Sequence, residues 1–182
     1  MIRIVRPVVG GALENLYESF VKNVIYAHVK PCVGSVVKVD LVGGVVDHSG
    51  VYVGDGKIVE VTNIDGAAAV RRVSTEEFIN GPGGFFRTGA YIYVACKKTR
   101  DGKCVPMGAQ DIADRANAAV DQISTYDLVT NNCHLFTEYC VTGEKPVPPG
   151  ILFSVENALK RRFMQHDYER MKDIWRSTGI SL

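Results

Sequence analysis

The sequence predicts an α+β fold, an antiparallel sheet packed against helices, and three observations lead there. Apolar residues over positions 12–26 recur at three-and-four spacing, the period of a helix with one buried stripe. Residues 34–96 then break into short β-branched or aromatic runs separated by glycine-containing turns, which is hairpin patterning. Helical spacing returns after residue 108, so the order is helix, sheet, helices rather than the strand–helix alternation of a wound parallel sheet. At 182 residues the chain is the size of one ordinary domain.

Taken in order, the first helix is carried by Leu13, Leu16, Tyr17, Phe20, Val21, Val24 and Ile25. After Pro31 the segments GSVVKVDLV, DHSGVYVG, KIVEVT, AAVRRV and AYIYVAC give four to five antiparallel strands between residues 34 and 96. GAQDIADRANAAVDQIS is helical through Ile112, Ala116, Ala119, Val120 and Ile123. NNCHLFTEYCVTG follows as a shorter helix closed by Gly143, and Pro146, Pro148 and Pro149 forbid its continuation. Residues 152–177 read as a long amphipathic helix with Val155, Leu159, Phe163, Met164, Tyr168, Met171 and Trp175 on its stripe and Lys160, Arg161 and Arg162 on its flank.

Composition excludes several functions. Twenty-one basic against 20 acidic side chains give a net charge of +1, too weak for a general nucleic-acid partner. Five cysteines are an odd number with no CxxC pair, which argues against a disulfide framework and a zinc ribbon and for a reducing, cytoplasmic setting. The N-terminus has no signal-peptide pattern, and no apolar run reaches the roughly 18–20 residues of a membrane span. Neither GxxxxGK[ST] nor GxGxxG occurs, and Gly81-Pro82-Gly83-Gly84 reads as a loop rather than a phosphate cradle. No metal-ligand spacing is present, so the expectation is no metal and no cofactor.

Chemistry then falls to a cysteine. Neither Gly34-Ser35 nor Ser49-Gly50 completes a serine elbow. Cys133 follows Asn131 and Asn132, either of which can cap a helix, and a first-turn sulfur is favoured as thiolate by free N–H groups and the helix dipole. Its base is His48, which opens a strand that turns at Gly54-Asp55-Gly56 and returns through Glu60. A three-residue loop pairs Val51 with Val59, Gly50 with Glu60 and His48 with Thr62, collecting valines on one face and His48, Tyr52, Glu60 and Thr62 on the other. A two-residue Asp55-Gly56 turn sends Glu60 to the opposite face, and the first register is preferred because it separates polar from apolar. Cys133, His48 and Glu60 are thus the catalytic candidates; Tyr52, Asn132 and Thr62 are the substrate-binding ones. His134, about 100° further round the helix, is expected to point elsewhere, and His28 and His166 are read as surface or structural.

The segment from His48 to Glu60, with Asn132-Cys133-His134-Leu135-Phe136, resembles the H-box and NC-box of the lecithin:retinol acyltransferase-like family. The Gly34-Ser35-Val36-Val37-Lys38-Val39 strand and Tyr126-Asp127-Leu128 resemble that family as well, so the likeness covers roughly residues 33–143. It implies a circularly permuted papain-like domain over 1–150, with the C-terminal helix of 151–182 packed on or covering it. It also implies a thioester acyl-enzyme formed from an ester or amide, an acyl-lipid substrate, and peripheral membrane contact through the C-terminal helix. Glu60 stands where the family often has a second histidine, and His134 where its motif has glutamate. A second permuted thiol family, the PPPDE-type isopeptidases, is similar around residues 126–133 and 142–146, which keeps a peptide, isopeptide or other amide substrate as the alternative. A non-catalytic binding module that retains the fold is the remaining one.

Overall fold

The computed structural model describes residues 28–41, 46–81, 90–125, 132–148, 151–164 and 174–181. The helix expected over 12–26, the glycine-containing loop from residue 82 onward and the 126–131 approach to Cys133 lie outside these residues. Eight strands, β1 (Val36–Leu41), β2 (Val46–Gly54), β3 (Lys57–Ile64), β4 (Ala67–Ser74), β5 (Tyr91–Lys98), β6 (Cys104–Pro106), β7 (Ile123–Thr125) and β8 (Trp175–Ser181), form one sheet. Its order is β6-β5-β1-β2-β3-β4-β7, with β8 also on β5, and every pairing is antiparallel. Among the described residues there are four helices: α1 (Thr75–Asn80), α2 (Gln110–Ala118), α3 (Cys133–Thr142) and α4 (Leu152–Phe163).

Successive side chains of a strand leave it on opposite sides, and here both sides are apolar. Val36, Val51, Val59 and Tyr93 face Ile112 and Ala116 of α2, Cys140 and Val141 of α3, and Val155 and Leu159 of α4. Val37, Val39, Ile58, Val73, Ile92 and Val94 face Phe78 and Ile79 of α1. The expected division into a valine face and a polar face is therefore corrected. The face bearing Gly50, Ile58 and Glu60 is roofed by α1, which the pattern of one hairpin could not reveal.

The β2–β3 turn combines the two registers considered. Asp55 and Gly56 take left-handed φ values of 49° and 67°, a two-residue turn, and Gly54 pairs with Lys57. An irregularity between Tyr52 and Gly54 then takes up one residue, so that Tyr52 meets Ile58, Val51 meets Val59 and Gly50 meets Glu60. The pairing preferred from sequence is restored below the bulge, although the loop is not the three-residue one expected. The ladder ends at Gly50–Glu60: Thr62 does not pair with His48 but with Ala69 of β4, while His48 pairs with Val39 of β1.

Two helices are shorter than their apolar spacing predicted. α2 stops at Ala118 and Asp121 turns left-handed at φ 69°, so Ile123 leaves the helical stripe, joins β7 on the edge of β4, and is 73% exposed. The helix expected over 152–177 ends at Phe163, and Trp175 begins β8. Gly179 in β8 has φ 77°, which no helix accommodates. Of the basic flank of α4 only Arg161 stays exposed: Lys160 is buried, and Arg162 donates to the Val141 carbonyl and to Asp111. Among the described residues, no helix is long and apolar enough to cross a membrane.

Candidate active site

Asn132 is the cap. Its side-chain oxygen accepts from the backbone N–H of His134 at 2.9 Å and of Leu135 at 3.0 Å, and Gly143 closes the far end of α3 at φ 74°. Cys133 is the first residue of α3, 7% exposed, with its own N–H left outside the cap. Its sulfur sits where the dipole and the first-turn N–H groups favour negative charge.

His48 lies past the end of the β2–β3 ladder and still reaches Glu60, its Nε2 lying 2.6 Å from Glu60 Oε2. The other carboxylate oxygen accepts from an Arg71 guanidinium nitrogen at 2.5 Å. Glu60 is fully buried, and Phe78 backs the imidazole with ring centroids 5.0 Å apart. Gly50 lets β2 run beneath α1, because a Cβ there would lie 2.8 Å from the Ile58 side chain and 3.0 Å from Phe78. With Nε2 held by a carboxylate, the ring nitrogen left for the sulfur is Nδ1.

Charge coupling among these groups is strong. Burial acts to lower the His48 pKa, but hydrogen bonds and charge from Cys133 and Glu60 outweigh it and raise it to about 9. Burial acts to raise Glu60, yet His48 and then Arg71 hold it below the usual carboxylate value. Burial likewise opposes ionisation of Cys133, while hydrogen bonds and charge from His134 and His48 carry it well below an ordinary thiol. Cys96 and Cys140, also buried, are pushed up to about 12. Of the three buried cysteines, Cys133 is the one whose surroundings favour thiolate over thiol.

One expectation for this site is overturned. His134 does not point away: its Nδ1 lies 2.9 Å from Ser49 Oγ on β2, and its ring acts on the Cys133 sulfur. The 100° offset along the helix was right, but α3 packs on β2, and Ser49 waits at that angle. Ser49 is also 3.0 Å from Thr137 Oγ1, which donates to the Cys133 carbonyl at 2.7 Å.

The structure thus brings together Cys133, His48 and Glu60, with Asn132 as the cap. Tyr52 lies apart, its hydroxyl accepting from the Gly56 N–H at the hairpin end. Thr62 is buried two residues beyond Glu60 on β3. Among the described residues, no group of three or more His, Cys, Asp or Glu side chains is placed to hold a metal.

A family model described as lecithin retinol acyltransferase matches residues 29–146. The chain belongs to the lecithin retinol acyltransferase family. No curated protein gives a significant match to it. The matched span contains every residue of the Cys133–His48–Glu60 group and stops short of α4 and β8, which complete the core of this family member.

A groove of about 550 Å³ runs between β3, β4 and α3, and none of Cys133, His48 and Glu60 lines it. Its walls include Val61, which leaves β3 on the face opposite Glu60, Leu135, Phe136 and Tyr139 of α3, Ile123, and Lys145 at the end of the family match. Arg71, Ser49, His134 and Thr137 were missed from sequence. Arg71 was within reach: a two-residue Asp65-Gly66 turn places it directly across from Glu60, and both turn residues are left-handed as such a turn requires. The Ser49–His134 contact had no such signal, because it joins two elements distant in the chain.

Proposed function

We propose that this protein is a cysteine-dependent hydrolase or acyltransferase of circularly permuted papain-like architecture, acting through a thioester acyl-enzyme. The observation that carries this is the helix-capped Cys133 against an imidazole whose far nitrogen is 2.6 Å from buried Glu60. The thiolate adds to an ester or amide carbonyl, and the Cys133 N–H meets the oxyanion at the helix start. His48, protonated through Nδ1, gives its proton to the leaving group as the C–O or C–N bond breaks. The neutral ring then takes a proton from water or an acceptor alcohol or amine, which displaces the sulfur and releases the acyl group.

An acyl-lipid is the favoured substrate. Family membership supports it, as does a groove on α3 whose walls are largely aliphatic and aromatic. Exposed Ile151 and Phe153 at the start of α4 offer contact to a lipid surface. The test is a substrate panel of phospholipid in vesicles, short acyl esters and an isopeptide. Phospholipid turnover that falls at least about a thousandfold in Cys133→Ser supports the reading. Turnover confined to the isopeptide moves the protein to peptide chemistry, and activity retained in Cys133→Ser refutes the nucleophile.

A further inference from the structure

Both carboxylate oxygens of fully buried Glu60 are taken, Oε2 by Nε2–H of His48 at 2.6 Å and Oε1 by a guanidinium nitrogen of Arg71 at 2.5 Å. The two partners differ in kind. An imidazole gains and loses a proton during catalysis, whereas a guanidinium is always charged. Whenever His48 is neutral, Arg71 is therefore the cation left on a carboxylate shut away from water, and a buried charge with no counter-charge is strongly disfavoured. Strand register brings this about. Arg71 stands directly across from Glu60 on β4, while Arg72 leaves the strand on the other side and donates to Asn117 at 2.8 Å. Around the His48–Glu60 pair stand Arg71 of β4, Phe78 of α1, and Cys133 of α3, on which His134 also acts. One step out is exposed Glu77 of α1, which accepts from the Ser74 N–H and lies within reach of the Lys57 and Arg71 charges.

We propose that Arg71 is a positioning residue of the reaction, holding Glu60 as a carboxylate while His48 is neutral and so allowing the imidazole to release its proton. The inference rests on Cys133 being the nucleophile and His48 its base. As the leaving group departs, the Nδ1 proton of His48 passes to the leaving oxygen or nitrogen, and Nε2–H stays on Glu60. In deacylation a water proton passes to Nδ1 while the water oxygen bonds to the thioester carbon, and the sulfur leaves as thiolate. Between these steps imidazole and carboxylate together carry one negative charge, which Arg71 balances. Without Arg71 the pair keeps its second proton, either as imidazolium beside carboxylate or as Nδ1–H imidazole beside carboxylic acid. Neither form has a free Nδ1 to take a proton from water. In the acyl-enzyme the Cys133 sulfur bears no charge, so the pH at which deacylation switches on reports the His48–Glu60–Arg71 group.

The test follows the acyl-enzyme itself. Wild type, Arg71→Met, Arg71→Lys, Arg72→Met and Glu60→Gln are acylated with a nitrophenyl ester and freed of excess ester, and the loss of acyl mass from Cys133 is timed against pH. Arg71→Met should move the midpoint of deacylation upward by at least about one pH unit, a loss of about tenfold at neutral pH that fades as pH rises. Arg71→Lys should recover most of that loss, because Arg71 meets the carboxylate through one nitrogen and a point charge can replace it. Glu60→Gln should move the midpoint the other way, and Arg72→Met should match wild type. A purely structural role for Arg71 would lower the rate by one factor at every pH. That result, a profile of Arg71→Met superimposed on wild type, or a lysine variant no better than the methionine one overturns the proposal and leaves the nucleophile standing. If Arg71→Met fails to fold, Arg71→Gln, which keeps an N–H donor and loses the charge, is judged by the same shift. If wild type carries no acyl group on Cys133, the thiol reading falls and the role of Arg71 falls with it.

Discussion

At the scale of single residues, the pairing of His48 with Glu60 makes the pH dependence of the reaction predictable. The thiolate–imidazolium pair exists from the depressed pKa of Cys133 up to the raised pKa of His48, about 9. The profile of kcat/KM should therefore be a bell with its alkaline limb near 9 and its acid limb well below an ordinary thiol. Glu60→Gln removes the negative charge and should bring the alkaline limb down by about 1–3 units while leaving an acceptor for Nε2. An alkaline limb that stays put would show that Glu60 does not set the imidazole. Stability follows the same signs. The raised pKa of His48 stabilises the fold below its unfolded value of 6.5, and that contribution disappears as pH climbs through about 9. The lowered pKa of Glu60 stabilises the fold above its unfolded value of 4.5 and is lost on acidification below it. Urea midpoints for wild type and His48→Asn should thus converge as pH rises past about 9.

At the scale of elements, what was legible in the sequence is what local chemistry encodes. Asn132 and Gly143 bound α3 because a polar cap and a left-handed terminal residue are short-range requirements, and both could be read directly. Asn132→Ala should cost about 1 kcal/mol in urea unfolding and also slow alkylation of Cys133, since the cap orients the turn that carries the sulfur. Gly50→Ala should cost about 1–3 kcal/mol by forcing a Cβ against Ile58 and Phe78; a neutral effect would mean that α1 does not press on β2 there. The elements misread are those where tertiary contact overrules spacing. Trp175 continues the apolar period of α4 by coincidence of number, yet its backbone completes a sheet edge on β5. Ile123 fits the stripe of α2, but Asp121 ends the helix before it. His134 was placed at the correct angle and still misassigned, because a helical wheel does not say which neighbouring element stands at that angle.

At the scale of the whole molecule, the sheet is finished by the end of the chain. β8 pairs with β5, Trp175 is 4% exposed among residues from both ends of the fold, and its indole N–H donates to Glu156 of α4. A chain ending at residue 150 should therefore fail to unfold cooperatively. Trp175→Ala should cost about 3–5 kcal/mol, followed by circular dichroism because Trp175 is the single tryptophan. The helix at 152–163 packs through Val155, Ala158 and Leu159 as part of the core rather than as a loose cover. That packing sets α3 against β2 and so places Cys133 at the open end of the β2–β3 ladder, where His48 meets it. The most direct measurement is the intact mass of the protein after mixing with an acyl ester and quenching in acid, in wild type and Cys133→Ala. A thioester mechanism predicts one added acyl group, mapped to Cys133, discharged by hydroxylamine and absent from the variant. Turnover of the ester with no added mass, or the same adduct in Cys133→Ala, would contradict it.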